Sequence, residues 1–253
     1  MSKDVAVVIG NGLSLGFNHF HEMGEFKDTQ NPLSWNIPTP KSDIPLIDNM
    51  PYLKGFAEAN SGCNDFELFE IASKIEFNLE TTFKQGGAMT TLECRHFLCL
   101  AFSHYSLIAK RKLNAKWPWY KWLDAHKNRI SSVSSYNYDL IFETMMTRLN
   151  IFFYDAASPK QYGDVLLHKP HGSCNYDSDP GSVSMWWDNY PIKGCISHND
   201  TAFVRLKTNQ LLRMRREPLC VIPNERNIYA HYQKMAQHEH DYHRKVATCK
   251  NCI

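Results

Sequence analysis

The chain reads as an α/β protein: a Rossmann-like parallel sheet flanked by helices, with a helical insertion. Three observations predict this. Val5 to Ile9 is a continuous apolar, mostly β-branched run, the mark of a strand buried on both faces. Gly10-Asn11-Gly12-Leu13-Ser14 follows at once, giving the strand, glycine turn and helix order that cradles phosphates. Two later apolar runs, Ile130 to Tyr136 and Val165 to His168, each lead into a polar turn bearing Asn, Asp or His.

The elements follow in order. Pro32, Pro38, Pro40, Pro45 and Pro51 break regular structure between Phe26 and Tyr52, so a long loop is expected there. Asn64 or Asp65 can cap a helix carrying Leu68, Ala72, Ile75, Leu79 and Phe83 at helical spacing, closed by Gly86-Gly87. A second helix is expected from Met89 to Lys112, and a third, with Trp117, Trp119 and Trp122, ends near Lys127. These form an insertion at about 26–128 within a single domain spanning 1–253. Ile130 to Tyr136 reads as a strand and Leu140 to Leu149 as a helix. Ile151 to Tyr154 and Val165 to His168 read as short strands, and Ile228 to Arg244 as a helix. Residues 245–253 carry no strand pattern.

Composition narrows the class. Of 253 residues, 43% are hydrophobic and 21% charged, an ordinary globular balance with enough apolar mass for a core. The net charge of +2 indicates neither nucleic acid nor a membrane surface. No apolar run approaches the roughly 18 residues that span a bilayer. Val5 to Ile9 is too short for a signal-peptide core, so a cytoplasmic protein is expected. Eight scattered cysteines in such a chain read as reduced thiols.

Three motifs carry chemistry. In Gly10-Asn11-Gly12-Leu13-Ser14 the glycines admit a pyrophosphate to the backbone, although Gly-x-Gly also serves as a plain tight turn. Asn137-Tyr138-Asp139 sits at the carboxyl end of a strand, where open α/β sheets bind ligands. The Asn137 amide can hold a ribose hydroxyl or a water, and Asn137 or Asp139 can equally cap the next helix. His168-Lys169-Pro170-His171-Gly172-Ser173 places His171 in a loop after a strand, where it serves as a general base or as a hydrogen-bonded loop histidine.

In this order the three motifs resemble the sirtuin family and its bacterial relatives, which carry a Gly-Ala-Gly-x-Ser loop, an Asn-x-Asp segment and a His-Gly segment. Asn11 stands where the family has Ala. The Asn-Tyr-Asp and His-Gly-Ser forms look most like the sirtuin-like NAD hydrolases of bacterial antiviral defence. Asp65-Phe66-Glu67 and Val221-Ile222-Pro223 also resemble that branch. The resemblance implies an NAD+ glycohydrolase, with NAD+ as substrate and no metal. It implies Asn137, His171 and Asp139 as catalytic residues. Gly10, Asn11, Gly12, Leu13, Ser14, Gly172 and Ser173 would bind the dinucleotide. It also implies control by self-assembly or by a complex with a sensor subunit.

Departures shape the expectation. Deacetylases of the family hold zinc with two Cys-x-x-Cys pairs after the His-Gly segment; here that region has isolated Cys174, Cys195 and Cys220. The Gly-Ile-Pro-Asp-Phe-Arg signature is replaced by Gly16-Phe17-Asn18-His19-Phe20. Both favour NAD+ hydrolysis over a protein deacylase; an idle nucleotide-sensing or scaffold subunit stands as a further alternative. Relatives close the sheet with a late strand ending in Gly-x-Ser. This sequence ends at Ile253, where that strand would start, so a truncated chain, or an adenosine side built differently or by a partner, is expected. The His231, His238, His240 and His243 cluster reads as a solvated polar face rather than a metal site, Arg205, Lys207, Arg213, Arg215 and Arg216 as a solvated face or partner surface rather than a phosphate or nucleic-acid contact, and Trp117, Trp119 and Trp122 as helix packing.

Overall fold

The computed structural model describes residues 3–39, 44–75, 87–158, 163–178, 183–186, 195–197, 203–213, 215, 218–220, 222, 242, 244 and 251–252. The strands are β1 (Val5–Ile9), β2 (Ile130–Ser135), β3 (Phe153–Tyr154), β4 (Val165–His168), β5 (Tyr176–Ser178), β6 (Val183–Trp186), β7 (Cys195–Ser197), β8 (Phe203–Arg205) and β9 (Asn251–Cys252). The helices are α1 (Asn11–Phe20), α2 (Pro51–Ala59), α3 (Asp65–Ile75), α4 (Gly87–Lys112), α5 (Pro118–His126) and α6 (Ile141–Arg148).

The main sheet has the order β3-β4-β2-β1-β9, and every neighbouring pair is parallel. Val7 pairs with Val133, and Ser134 with His168, so β1, β2 and β4 end along one edge. This is the predicted Rossmann-like arrangement. The chain runs outward from β1 through β2 to β4, while β9 lies on the far side of β1. The order therefore reverses beside β1, the kind of switch point where open sheets bind ligands. Serine fills four of the six β2 positions, and Ser132, Ser134 and Ser135 are buried. Small side chains suit a strand covered on both faces, and Ser134 Oγ meets His168 Nδ1 at 3.3 Å. The β9 pairing with Val5 and Ala6 corrects the expectation that residues 245–253 form no strand. A two-residue strand is too short to leave a periodic signature.

The helices form as their patterns dictate. Leu13, Ser14, Phe17 and Asn18 give α1 one buried face. Phe97, Leu98, Cys99, Leu100, Ala101 and Phe102 are all buried, so α4 is covered all round; α2, α3 and α6 pack on it. The expected helix from Asn64 is described over Asp65–Ile75, and residues 76–86 lie outside the described set. Most of the helix expected over 228–244 lies outside it too.

The proline-rich stretch contains short 3-10 turns at Gly24–Lys27, Pro32–Ser34 and Leu46–Asn49. Aromatic rings hold it down. Trp35 stacks on Tyr105 with centroids 5.5 Å apart, and Phe26 meets Trp35 edge-on at 5.1 Å. Pro51 then starts α2, a helix the sequence reading left inside and after the loop. Its missing N–H and fixed φ suit the first helical turn. Cys63, Cys94, Cys99, Cys174 and Cys220 are free thiols. Among the described residues, no helix is long and apolar enough to cross a membrane.

One buried carboxyl ties the insertion together. Glu93 of α4 accepts the Leu53 N–H of α2 at 2.6 Å, satisfying an amide of its first turn. Burial pushes the Glu93 carboxyl up to about 7, against the opposing backbone hydrogen bonds of Leu53 and Tyr52. The folded protein thus keeps this proton where the unfolded chain, at the ordinary value of 4.5, has lost it. Its stabilising contribution is full below 4.5 and fades as pH rises towards 7. Thermal unfolding across this window should show the wild type losing more stability with rising pH than Glu93→Gln. Parallel profiles for the two proteins would refute this account.

Candidate functional site

The edge where β1, β2 and β4 end gathers all three sequence motifs. Gly10 leaves β1 in extended conformation and Asn11 opens α1. No side chain caps this helix, and no acidic residue sits in its first turn. Its positive end is therefore not neutralised locally. A Cβ added at Gly10 or Gly12 would meet nothing within 4 Å, so the turn leaves room for a ligand against the backbone. Leu13 is buried and its N–H donates to the Gly10 carbonyl at 3.0 Å. Asn11 accepts the Thr29 hydroxyl at 2.5 Å, which fixes the start of the long loop beside the turn.

The second motif reaches across to the first. Asn137 Nδ2 donates to Ser14 Oγ at 2.9 Å, and Ser14 Oγ donates to Asp139 Oδ2 at 2.6 Å. Asp139 Oδ1 also accepts the Ile141 N–H at the start of α6, at 3.0 Å. Asp139 thus performs the helix-end role and the site role together. Ser14 is 1% exposed and its hydroxyl proton is committed, so its place is to hold Asn137 rather than to face a ligand. Asn137, at 8%, keeps its carbonyl end for other contacts.

His171 follows β4 and is exposed to solvent. Its ring stands edge-on to Tyr136 at 5.2 Å and tilted against Tyr138 at 6.3 Å. The two tyrosines flank Asn137, so His171 lies against the Asn137 turn. Desolvation by this setting lowers the imidazole pKa from 6.5, partly offset by a hydrogen bond with the Tyr136 backbone. His168, by contrast, ends β4, is buried, and stacks on Tyr242 at 5.0 Å.

The His171 loop is held from two sides. Gly172 forms a bridge with Cys220, Ser173 N–H donates to Leu219 at 3.0 Å, and Cys174 N–H donates to Tyr138 at 3.0 Å. Ser173 is buried, and its hydroxyl has no partner among the described residues.

Several contributing residues escaped the sequence reading. Lys169 is buried and donates to the Asp139 carbonyl at 3.0 Å and to Glu143 Oε1 at 2.7 Å. It stood inside the histidine motif, but a loop lysine reads as solvated. Arg215 is 1% exposed and donates to Ser103 Oγ at 2.9 Å and to the carbonyl of Cys174 at 2.8 Å. Arg213 pairs with Asp177 at 3.0 Å and Arg205 with Asp155 at 2.6 Å. Of the basic stretch, Arg205, Arg213 and Arg215 thus make structural contacts, Lys207 is exposed, and Arg216 lies outside the described residues. Trp117, likewise, packs edge-on against Phe17 at 5.2 Å.

Among the described residues, no group of three His, Cys, Asp or Glu side chains can hold a metal. His231, His238, His240 and Cys249 lie outside them. Comparison with protein-family models finds no match for this chain, and comparison with curated proteins finds none.

Gly172 has a φ of +72°, and a Cβ there would fall 1.7 Å from the Leu219 carbonyl oxygen. Strain and clash act together at this position. Gly172→Ala should cost more than about 2 kcal/mol in urea unfolding. A loss below about 0.5 kcal/mol, the scale of neutral surface changes, would show that the loop is not held this way.

Proposed function

We propose that this chain is an NAD+ hydrolase that breaks the nicotinamide–ribose bond at the carboxyl edge of β1, β2 and β4. One observation carries the reading: the glycine turn, Asn137 and His171 converge on that edge, and a buried Ser14 hydroxyl links the first two. The resemblance to sirtuin-like hydrolases of antiviral defence adds the reaction, and with it a role in depleting NAD+. Control by self-assembly or by a sensor subunit belongs to the same proposal.

The pyrophosphate of NAD+ rests at the α1 N-terminus, against the Asn11 and Gly12 amides, where Gly10 and Gly12 leave open space. The bond between ribose C1′ and the nicotinamide nitrogen then breaks. Nicotinamide takes the electron pair and departs neutral, so it needs no proton. Positive character develops at C1′, and the site supplies orientation and charge stabilisation. Asn137, anchored through its nitrogen on Ser14, holds the attacking water or a ribose hydroxyl with its carbonyl. Water adds to C1′ and its proton passes to His171, directly or through a ribose hydroxyl. The lowered His171 pKa keeps the imidazole neutral and able to accept that proton near pH 7. Gly172 and Ser173 hold the His171 loop in place through Cys220 and Leu219. Asp139 acts through Ser14 and is a positioning residue.

Purified protein incubated with NAD+ should release nicotinamide. Asn137→Ala and His171→Ala should each lower the rate by about 10²–10⁴-fold. Stable NAD+ at high protein concentration, or release only with an acyl-lysine peptide, would sink the hydrolase reading. The acid limb of kcat/KM should have its midpoint below 6.5, the ordinary histidine value, because partial desolvation against its neighbours lowers the His171 pKa. A midpoint above that value would remove His171 as the base.

Gly12→Ala offers a cleaner probe of the phosphate end. The new methyl meets nothing in the fold, so Tm should stay level or rise slightly. Affinity for NAD+ should fall by about tenfold or more, since the methyl occupies the approach to the backbone. Unchanged affinity would move the pyrophosphate elsewhere.

A further inference from the structure

Two large side chains with apolar surface stand open beside the site. Val8 of β1 is 46% exposed, and Tyr136, just past β2, is 43% exposed. Parallel sheets are covered on both faces, so a half-open valine on an inner strand marks a gap in that cover. The strands bring both residues to one face. Val8 pairs with Ser134, and the Tyr136 N–H continues the ladder by donating to the Ile9 carbonyl at 2.9 Å. Side chains alternate along a strand, so Val8 and Tyr136 share a face, while Ile9 and Ser135 turn to the other and are buried. Gly10, itself extended, comes next to Tyr136 in this register. It carries no side chain, and a Cβ there would meet nothing within 4 Å, so open space lies beside the tyrosine ring over β1.

The same residue touches the histidine. Its ring meets that of His171 at 5.2 Å with the planes 83° apart, and its backbone hydrogen-bonds the imidazole. Asn137, the next residue, points to Ser14 of α1 instead. An open aromatic face gains from a flat ring laid on it, and more when that ring is positively charged. NAD+ carries one such ring, the nicotinamide cation. That ring is bonded to C1′, the atom assigned above to Asn137 and His171. Adenine, the other ring, lies at the far side of the pyrophosphate.

We propose that Tyr136 is a substrate-binding residue on whose ring the nicotinamide cation of NAD+ stacks, an inference that rests on the hydrolase reading. When the C1′–N bond breaks, its electron pair goes to the ring nitrogen and cancels the charge. The contact therefore weakens as nicotinamide leaves, so Tyr136 holds NAD+ more firmly than it holds the product. Its loss acts on substrate binding, raising KM without lowering kcat. The contact also favours NAD+ over NADH, whose ring is uncharged.

Calorimetric titration with two ligands tests this. Carbocyclic NAD+ has carbon in place of the ribose ring oxygen, so its C1′ bond resists cleavage; ADP-ribose lacks nicotinamide. Tyr136→Ala changes a half-exposed side chain. It should weaken carbocyclic NAD+ about fivefold or more and leave ADP-ribose within about twofold, while Tyr136→Phe, which keeps the ring, should bind both as the wild type does. In turnover, Tyr136→Ala should raise KM by a similar factor. Unchanged affinities overturn the proposal. So does an equal loss for both ligands, which would put the ring under adenine or in the support of the fold, and so does a fall in kcat with KM unchanged. The expected binding pattern without nicotinamide release from NAD+ removes the hydrolase reading and leaves the ring site supported. If the wild type binds neither ligand, both fall.

Discussion

The edge of the sheet depends on one buried hydrogen bond, from Ser14 to Asp139 at 2.6 Å, joining residues 125 apart in sequence. Ser14 belongs to the first turn of α1 and Asp139 to the turn before α6. The bond therefore locks the β1–α1 unit to the β2–α6 unit just where both strands end. Asn137 hangs from the same hydroxyl. A hydroxyl has one proton to give and lone pairs to receive, so donation to Asp139 directs Ser14 Oγ to accept from Asn137. Removing either partner strands a buried polar group at a cost of about 1–3 kcal/mol, and removing Ser14 frees the Asn137 side chain as well.

The third loop is fixed to that node by a different force. Lys169 Nζ bonds the Asp139 carbonyl and Glu143, and the pair is nearly dry, with side-chain exposures of 1% and 10%. Burial pushes the Glu143 pKa up despite the attraction of Lys169, so desolvation outweighs the pairing for this carboxyl. Such a pair adds little net stability against an apolar replacement, but losing one member leaves an uncompensated buried charge. Its contribution lies in geometry. It fixes the chain two residues before His171 relative to the turn bearing Asn137. Arg215 holds Cys174 on the other side of His171 in a comparable way.

Much of this fold was legible in the sequence because its signals are local. The apolar run of β1, the glycine turn and the spacing of α3 each sit within one element, and the parallel sheet followed from them. The convergence of Gly10–Ser14, Asn137 and His171 was legible as an order of motifs, since parallel strands bring their following loops to one edge. What escaped was every residue whose meaning comes from a distant partner. Lys169 and Arg215 look like solvated cations until Glu143, Ser103 and the Cys174 carbonyl are placed beside them. Glu93 looks like one more polar position of α4 until α2 presents its first turn. The α2 start was hidden by Pro51, which breaks a helix from within but opens one at its first position. β9, at two residues, was beyond any periodic test.

The distribution of charge at this edge separates a buried carboxylate from the open start of α1. Asp139 accepts from the Ser14 hydroxyl in the first turn of α1 and from the first amide of α6. The Asp139 side chain therefore sits beside the positive ends of two helices. It does so from beneath, through buried atoms: Asp139 is 2% exposed. The outward amides at Asn11 and Gly12 are left without a side-chain cap or an acidic neighbour in the turn. One end of α1 thus serves two partners, a buried carboxylate that positions Asn137 and an open face suited to phosphate. An acid placed directly at Gly10 would satisfy those amides, as ordinary capping residues do.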